Sequence, residues 1–188
     1  MTSRITLHAA PSAGFDEPFE MLLACHERVS RMLALLQRLG GHLADRGADS
    51  DASQAARDVM RYFDIAGPAH HEDEERHVFP ALLSEPEPGQ TALVEVVRGL
   101  QADHEAMERA WRLIRADLQA VCAAAGTGPI ADLPNVSLRW QRFADLYAAH
   151  IRAEEEQVYP AVRARLDGLA LQRMGQEMAA RRGVPGPR

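Results

Sequence analysis

Four histidines recur in the two halves of this 188-residue chain at a nearly constant offset, and this duplication restricts the fold more than any other feature. His26 and His104 lie 78 residues apart, and His70 and His150 lie 80 residues apart. The segment CHERVSRMLALL, which contains the first histidine, aligns with DHEAMERAWRLI, with His, Glu, Arg and the apolar positions in register. Such a repeat predicts two similar helical hairpins that share one hydrophobic core.

Two of these histidines are followed, four residues later, by a glutamate. The segment HHEDEERHVFPAL aligns with HIRAEEEQVYPAV, so that Glu74 matches Glu154 and Pro80 matches Pro160. Residues at positions i and i+4 lie on the same face of an α-helix. Each H-x-x-x-E step therefore predicts one imidazole and one carboxylate side by side.

Length and composition favour one all-helical domain. The chain is long enough to bury a core, with 46% hydrophobic but only 5% aromatic residues. The segments GGHLADRGADSD, SEPEPGQ and GTGPIADLPN are rich in helix-stopping residues and separate four periodic stretches. Helices are predicted near 15–39, 52–83, 90–125 and 136–166. The domain is expected to span 15–166, after an arm at 1–14 and before a helical or flexible tail at 167–188.

Charge, hydropathy and cysteine content argue against several classes of partner. The formal net charge is −6 and no basic stripe is present, which disfavours nucleic-acid binding. No apolar run approaches the roughly 18–20 residues of a membrane span, and MTSRITLHAAPSAG lacks the apolar core of a secretory signal. Cys25 and Cys122 are too few for a disulfide framework. A cytoplasmic protein without nucleic-acid or membrane partners is predicted.

Helical spacing places each of the four histidines on an apolar face. Around His26, for example, the positions three or four residues away include Leu22, Leu23 and Val29. A single inward histidine is more often a core residue with a hydrogen-bond partner than a metal ligand. Four of them beside two inward glutamates favour a bound cation, because a buried carboxylate without a partner costs several kcal/mol or remains protonated.

Nitrogen and carboxylate ligands without cysteine suit iron, manganese or zinc. A dinuclear site is favoured by the repeat, with two histidines for each metal, both glutamates as bridges, and open positions for a small ligand. A mononuclear site is the alternative. The six predicted ligands are His26, His70, Glu74, His104, His150 and Glu154.

Four features follow one another along the chain: a histidine, HHEDEE before VFP, a further histidine, and HIRAEEE before VYP. This pattern resembles the hemerythrin-like HHE cation-binding family, over residues 15–166. The resemblance implies an up-down-up-down four-helix bundle with a non-haem di-iron centre, two irons bridged by carboxylates, for which manganese or zinc can substitute. Its members include proteins resembling oxygen carriers, oxygen or iron sensors, and proteins that handle nitric oxide or repair iron–sulphur clusters. The fold transfers more safely than the activity.

Two positions differ from the classical hemerythrins that the family includes. Those proteins have a second histidine one turn after the ligand of the third helix, and a carboxylate five residues after the last histidine. Glu108 and Glu155 occupy these positions here. The chain is therefore closer to the bacterial type with four histidines and two glutamates, which argues against simple reversible oxygen carriage.

Two further residues are candidate ligands. His71 follows the Gly67-Pro68 step, where a proline kink could turn it inward, and the alternative is an exposed histidine. Glu108 lies one turn after His104 and could bind metal or accept a hydrogen bond from a ligand histidine, and the alternative is a solvated glutamate.

These observations predict a protein that binds a small diatomic ligand, oxygen or nitric oxide, at two ferrous ions. An apolar shell is expected to limit water and set redox behaviour, and its predicted members are Phe63, Phe143, Val78 and Val158. One alternative is a redox enzyme that acts on peroxide or nitric oxide at the same centre. Another is an interaction module with a protein partner, in which the metal state alters residues 168–188. Enzymatic activity and oligomeric state are left open.

Overall fold

The structure is a computed structural model, and it describes residues 14–84, 89–126, 130 and 132–186. These residues form helices and connecting turns without any strand, which confirms the prediction of an all-α fold. The arm predicted at 1–14 lies outside the described residues, apart from its last position. No helix in the described ranges is long and apolar enough to cross a membrane.

Four long helices form the body of the protein, and α-helices alternate with two π-helical segments. Along the described chain the order is α1 (Pro18–Arg46), α2 (Ser50–Asp73), a π-helical segment (Glu74–Val78), α3 (Pro80–Leu83), α4 (Thr91–Ala123), α5 (Leu133–Ala153), a second π-helical segment (Glu154–Val158), α6 (Tyr159–Arg163) and α7 (Gly168–Arg181). Helix α1 packs against α2 and α5, and α4 packs against the same two helices. The long helices therefore share one interior.

The first helix is longer than the sequence predicted. Its Gly-Gly step was interpreted as a stop, but α1 continues to Arg46. Gly40 is buried, and a Cβ atom there would lie 3.4 Å from Ser137 Oγ and 3.9 Å from Trp140 Cε3. The glycine thus allows α1 and α5 to approach closely, and the packing outweighs the low helix propensity of glycine. The helix ends at Gly47, whose φ of 75° lies in the region that glycine favours.

Two clusters of buried apolar side chains fill the interior, with a polar layer between them. In α1, Leu22 belongs to one cluster and Val29 to the other, and His26 lies between them along the helix. In α4, Leu100 belongs to the cluster of Leu22, and Met107 belongs to the cluster of Val29. Apolar groups therefore flank the polar layer on both sides along the helices.

The two π-helical segments were not predicted from the sequence. The amide of Phe79 donates to the carbonyl of Glu74 at 2.9 Å, and the amide of Tyr159 donates to the carbonyl of Glu154, so both bonds span five residues. A proline follows each aromatic residue and lacks the amide hydrogen that a regular α-helix would require. The repeated aromatic-Pro step is the sequence signal for these segments, which are frequent at functional sites.

The C-terminal tail predicted at 167–188 contains a helix, α7, which contacts α1 and α2. Met174 and Met178 are buried in the cluster that includes the start of α1. The fully buried carboxylate of Asp73, at the end of α2, accepts hydrogen bonds from Arg181 Nε at 2.8 Å and from Arg182 Nη2 at 2.6 Å. An apolar contact and a buried ion pair thus attach α7 to the domain.

Substitution of Asp73 by asparagine is expected to lower the free energy of unfolding by about 3 kcal/mol, because it leaves Arg181 and Arg182 without their shared counter-charge. Urea unfolding measures the loss, and limited proteolysis should show faster cleavage in α7. The control is Glu20→Gln, which breaks an exposed pair with Arg163 and should cost less than about 1 kcal/mol. Equal losses in the two variants would contradict a special role for the buried pair.

Candidate metal centre

The structure brings the six predicted ligands together in the polar layer. Both glutamates have no solvent exposure, and the exposure of the four histidines ranges from 2% to 8%. They form two overlapping sets, and within each set one nitrogen or oxygen atom per residue lies within 4.8 Å of the others. One set is His26, His70, Glu74 and Glu154, and the other is His104, His150, Glu74 and Glu154.

Each glutamate directs its two oxygen atoms toward different histidine pairs, so both carboxylates belong to both sets. Glu74 Oε1 lies 3.3 Å from His70 Nε2, and Glu74 Oε2 lies 3.4 Å from His104 Nε2. Glu154 Oε2 lies 3.2 Å from His26 Nε2, and Glu154 Oε1 lies 3.2 Å from His150 Nε2. This is the arrangement expected of carboxylates that are shared between two cations.

The donor atoms of these residues fit metal cations better than they fit one another. Glu74 Oε2, both Glu154 oxygens and His70 Nδ1 are buried without a hydrogen-bond partner among the described residues. In addition, His104 Nε2 and His150 Nε2 face each other at 3.1 Å. Buried carboxylate oxygens without partners are costly, whereas a cation accepts oxygen and imidazole lone pairs. The nitrogen and oxygen donors suit iron, manganese or zinc.

The protonation of the cluster is shaped by burial and by its own charges. Burial lowers the pKa of His26, but Glu154 and Glu74 outweigh this effect and raise the pKa to about 10. Burial lowers the pKa of His70 to about 3, and the charge of Glu74 only partly opposes it. Burial and the nearby Glu74 charge raise the pKa of Glu154. Because ligands must release protons to bind a metal, metal binding should weaken as pH falls.

Comparison with known proteins agrees with this geometry. The family model for the hemerythrin HHE cation-binding domain matches residues 17–168. This chain belongs to that family. An uncharacterized protein of Haemophilus influenzae is 31% identical over 172 residues, which cover 92% of this chain and 94% of the relative. The resemblance noted in the sequence is thereby confirmed, and an HHE domain is a cation-binding helical domain.

In this HHE domain, carboxylates near the surface contact three of the candidate ligand histidines. His26 Nδ1 lies 2.8 Å from Glu155 Oε1, and His104 Nδ1 lies 3.0 Å from Glu75 Oε1. Such contacts fix the ring so that Nε2 points to the centre. The two glutamates occupy matching positions in the repeat, directly after the inward glutamates. The third contact joins His150 Nδ1 to Asp103 Oδ2 at 3.4 Å.

Conversion of Glu75 or Glu155 to glutamine is expected to weaken metal affinity by roughly 10–100-fold, since each change removes the charged partner of a ligand ring. Competition with a chelator of known affinity measures the effect. Glu156→Gln is the control, because Glu156 is exposed in the second π-helical segment. Affinity losses as large in the control would show that the effect comes from net charge and not from ring orientation.

The aromatic residues that follow the two π-helical segments make the halves of the centre unequal. Phe79 stacks on His104 with ring centroids 5.4 Å apart, and Tyr159 stacks on His26 at 5.5 Å. The Tyr159 hydroxyl donates to Glu74 Oε1 at 2.5 Å and lies 3.2 Å from His26 Nε2. In the sequence these residues belong to the family signature, and the difference between VFP and VYP is the signal for a hydroxyl on one side only.

Neither additional ligand candidate belongs to the two sets. His71 lies outside both sets and is half-buried, and its ring stacks on the His104 ring with centroids 4.0 Å apart. Burial lowers its pKa well below the ordinary histidine value. Glu108 is exposed and pairs with Arg112 Nη1 at 2.7 Å, so the structure places it away from the centre. The orientation of His71 depends on its neighbours in α4 and α5, so it could not be predicted from the sequence of α2 alone.

Proposed function

We propose that this HHE domain binds two iron ions and uses them to bind or sense a small diatomic molecule, oxygen or nitric oxide. The observation that carries the proposal is that Glu74 and Glu154 each direct oxygen atoms to both histidine pairs. His26 and His70 would hold one ion, His104 and His150 the other, and both glutamates would be shared. Iron held in this way supplies redox chemistry and open positions for a ligand.

The surrounding residues support such a centre through orientation and exclusion of water. The Tyr159 hydroxyl donates to Glu74 and restricts the rotation of that carboxylate. The predicted apolar shell is buried, with exposures of 0–3% for Phe63, Phe143, Val78 and Val158.

We further propose that the four long helices run up-down-up-down, since consecutive members pack against one another and α5 packs against α1.

The test combines metal content with absorption spectroscopy. Mass spectrometry of the purified protein should find about two irons per chain, one for each histidine pair. Anaerobic reduction followed by exposure to air should then give an oxygen-dependent band that is lost again when oxygen is removed. Zinc alone, or no metal after reconstitution with ferrous iron, would overturn the proposal.

A second candidate is a redox enzyme acting on peroxide or nitric oxide. It is favoured by the Tyr159 hydroxyl, a buried proton donor in contact with His26 and Glu74. The iron form should then consume hydrogen peroxide or nitric oxide catalytically, and His104→Ala should abolish the turnover. Irreversible oxidation of the centre by air would favour this candidate over ligand binding.

A further inference from the structure

One side of the centre opens into a cavity, and the other is packed with side chains. The cavity lies between α2 and α4 and has a volume of about 760 Å³. Of the four histidines of the centre, its walls include His104 but not His26, His70 or His150. The lining residues that matter here are Phe63, Gly67, His71, His104, Trp111 and Tyr147. A cavity of this size is typical of small-molecule sites.

The internal repeat shows that this opening is specific to one half of the chain. Gly67 occupies the position that corresponds to Tyr147 at the offset of 80, and His71 corresponds to Ile151. A glycine therefore leaves space in α2 where α5 carries a phenol, and an imidazole is present where α5 carries an aliphatic side chain. The two substitutions lie on the same stretch of α2 and both face the cavity.

We infer that this cavity is the ligand entrance of the centre. A neutral diatomic molecule would reach the ion held by His104 and His150 and not the ion held by His26 and His70, with His71 and Tyr147 as its polar neighbours. The inference rests on the proposed function and deepens it. It assigns unequal roles to the two metal positions and gives His71 a role other than ligation.

Distances around His71 support the choice of position. Its ring centroid lies 4.0 Å from that of His104, against 6.0 Å from that of His70 and 6.2 Å from that of His150, so His71 stands closest to the histidine that lines the cavity. At the other pair, Tyr159 stacks on His26 and its hydroxyl is bound to Glu74. Phe79 likewise stacks on His104, so the difference in access lies in the cavity, which is lined by His104 and by neither His26 nor His70.

His71 and Tyr147 place two polar groups next to each other in the cavity wall. The Tyr147 hydroxyl lies 3.4 Å from His71 Nε2, and the Tyr147 side chain is buried. The phenol and the imidazole can each donate a hydrogen bond. Such donors would slow the release of a diatomic ligand bound beside them by hydrogen bonding to it.

The charges of the cavity favour a neutral ligand. Glu72, Glu75, Glu105 and Glu108 line it, and no lysine or arginine is among its described lining residues. Arginines pair with three of these glutamates from outside the lining, and Glu75 binds His104 and Gln101. The entrance therefore has no lysine or arginine among its described lining residues to attract an anion, and a neutral ligand such as oxygen or nitric oxide fits it better.

Substitution of Gly67 by leucine tests the entrance. A Cβ atom there would lie 3.7 Å from Phe63 Cδ1 and 4.0 Å from Tyr147 Oη, so the position accepts a side chain whose end would fill the cavity. Leucine also has a higher helix propensity than glycine, which protects the fold. Stopped-flow mixing of the diferrous protein with nitric oxide should show association slowed by roughly tenfold or more.

Gly99→Leu is the matched control, since Gly99 is exposed within α4 and nothing lies within 4 Å of its added Cβ. Its association rate and iron content should equal those of the unaltered protein. An unchanged rate in Gly67→Leu with normal iron content would overturn the inference and leave the proposed function intact. Failure of the unaltered protein to bind iron or nitric oxide would overturn the proposed function, and the inference with it.

Substitution of His71 by leucine tests the polar contact separately. Nitric oxide should dissociate roughly 2–10-fold faster, as the loss of one hydrogen bond predicts, while iron content is retained. Ile151→Leu, the matching position of the repeat, should leave the dissociation rate unchanged. Loss of iron from the His71 variant would instead identify His71 as a ligand and overturn its assigned role, as would an unchanged dissociation rate.

Discussion

Replacement of Glu74 by alanine is expected to remove most of the metal that the protein binds. The carboxylate is fully buried, and its oxygens lie 3.3 Å from His70 Nε2 and 3.4 Å from His104 Nε2, so both metal positions lose a ligand together. Tyr159 also loses the acceptor of its hydroxyl. Metal content per chain, measured by mass spectrometry after reconstitution with ferrous iron, tests this expectation.

The control for this experiment is Glu156→Ala, which removes an exposed glutamate from the second π-helical segment. It should retain full iron loading. Circular dichroism of both variants separates loss of metal from loss of the fold. If Glu74→Ala is helical and fully loaded, the six-residue centre is not the iron site, whatever the family membership of the chain.

Helical periodicity predicted much of this centre because its ligands follow simple spacing rules. Glu74 lies four residues after His70, and Glu154 four residues after His150, so an α-helix places each pair on one face. The repeat then relates the two halves, and the structure brings all of them to one polar layer. The all-helical fold class and the inward direction of these side chains follow from local sequence. Both could therefore be inferred without knowledge of tertiary contacts.

Other features interrupt the regular helical period or depend on contacts between distant parts of the chain, and they could not be inferred in this way. The π-helical hydrogen bond from Phe79 to Glu74 changes the spacing on which periodic arguments depend. The position of His71 follows from its stacking on His104, on a different helix. The extension of α1 beyond its Gly-Gly step follows from contact with Trp140. For His71 and α1 a tertiary contact outweighs a local propensity, whereas the π-helical bond is local and interrupts the regular helical period.

Conversion of Glu154 to glutamine is expected to change stability in opposite directions in the metal-free and metal-loaded protein. In the metal-free protein, both Glu154 oxygens are buried without hydrogen-bond partners, and burial and Glu74 raise its pKa. A carboxyl group with a raised pKa in the folded state loses stability as pH rises through that pKa. At neutral pH the uncharged glutamine should therefore stabilise the metal-free fold by about 1 kcal/mol or more.

The metal-loaded protein should respond in the opposite way, because glutamine is a weaker ligand and cannot neutralise a cation. When metal is well above its dissociation constant, a 100-fold loss of affinity lowers the free energy of unfolding by roughly 2.7 kcal/mol. Thermal unfolding of the variant and the unaltered protein, first with a chelator and then with excess ferrous iron without oxygen, measures the change in stability under each condition. If Glu154 had only a structural role, its replacement would destabilise the protein under both conditions. A change of sign would instead show that Glu154 destabilises the metal-free fold and stabilises the metal-loaded one, as expected of a metal ligand.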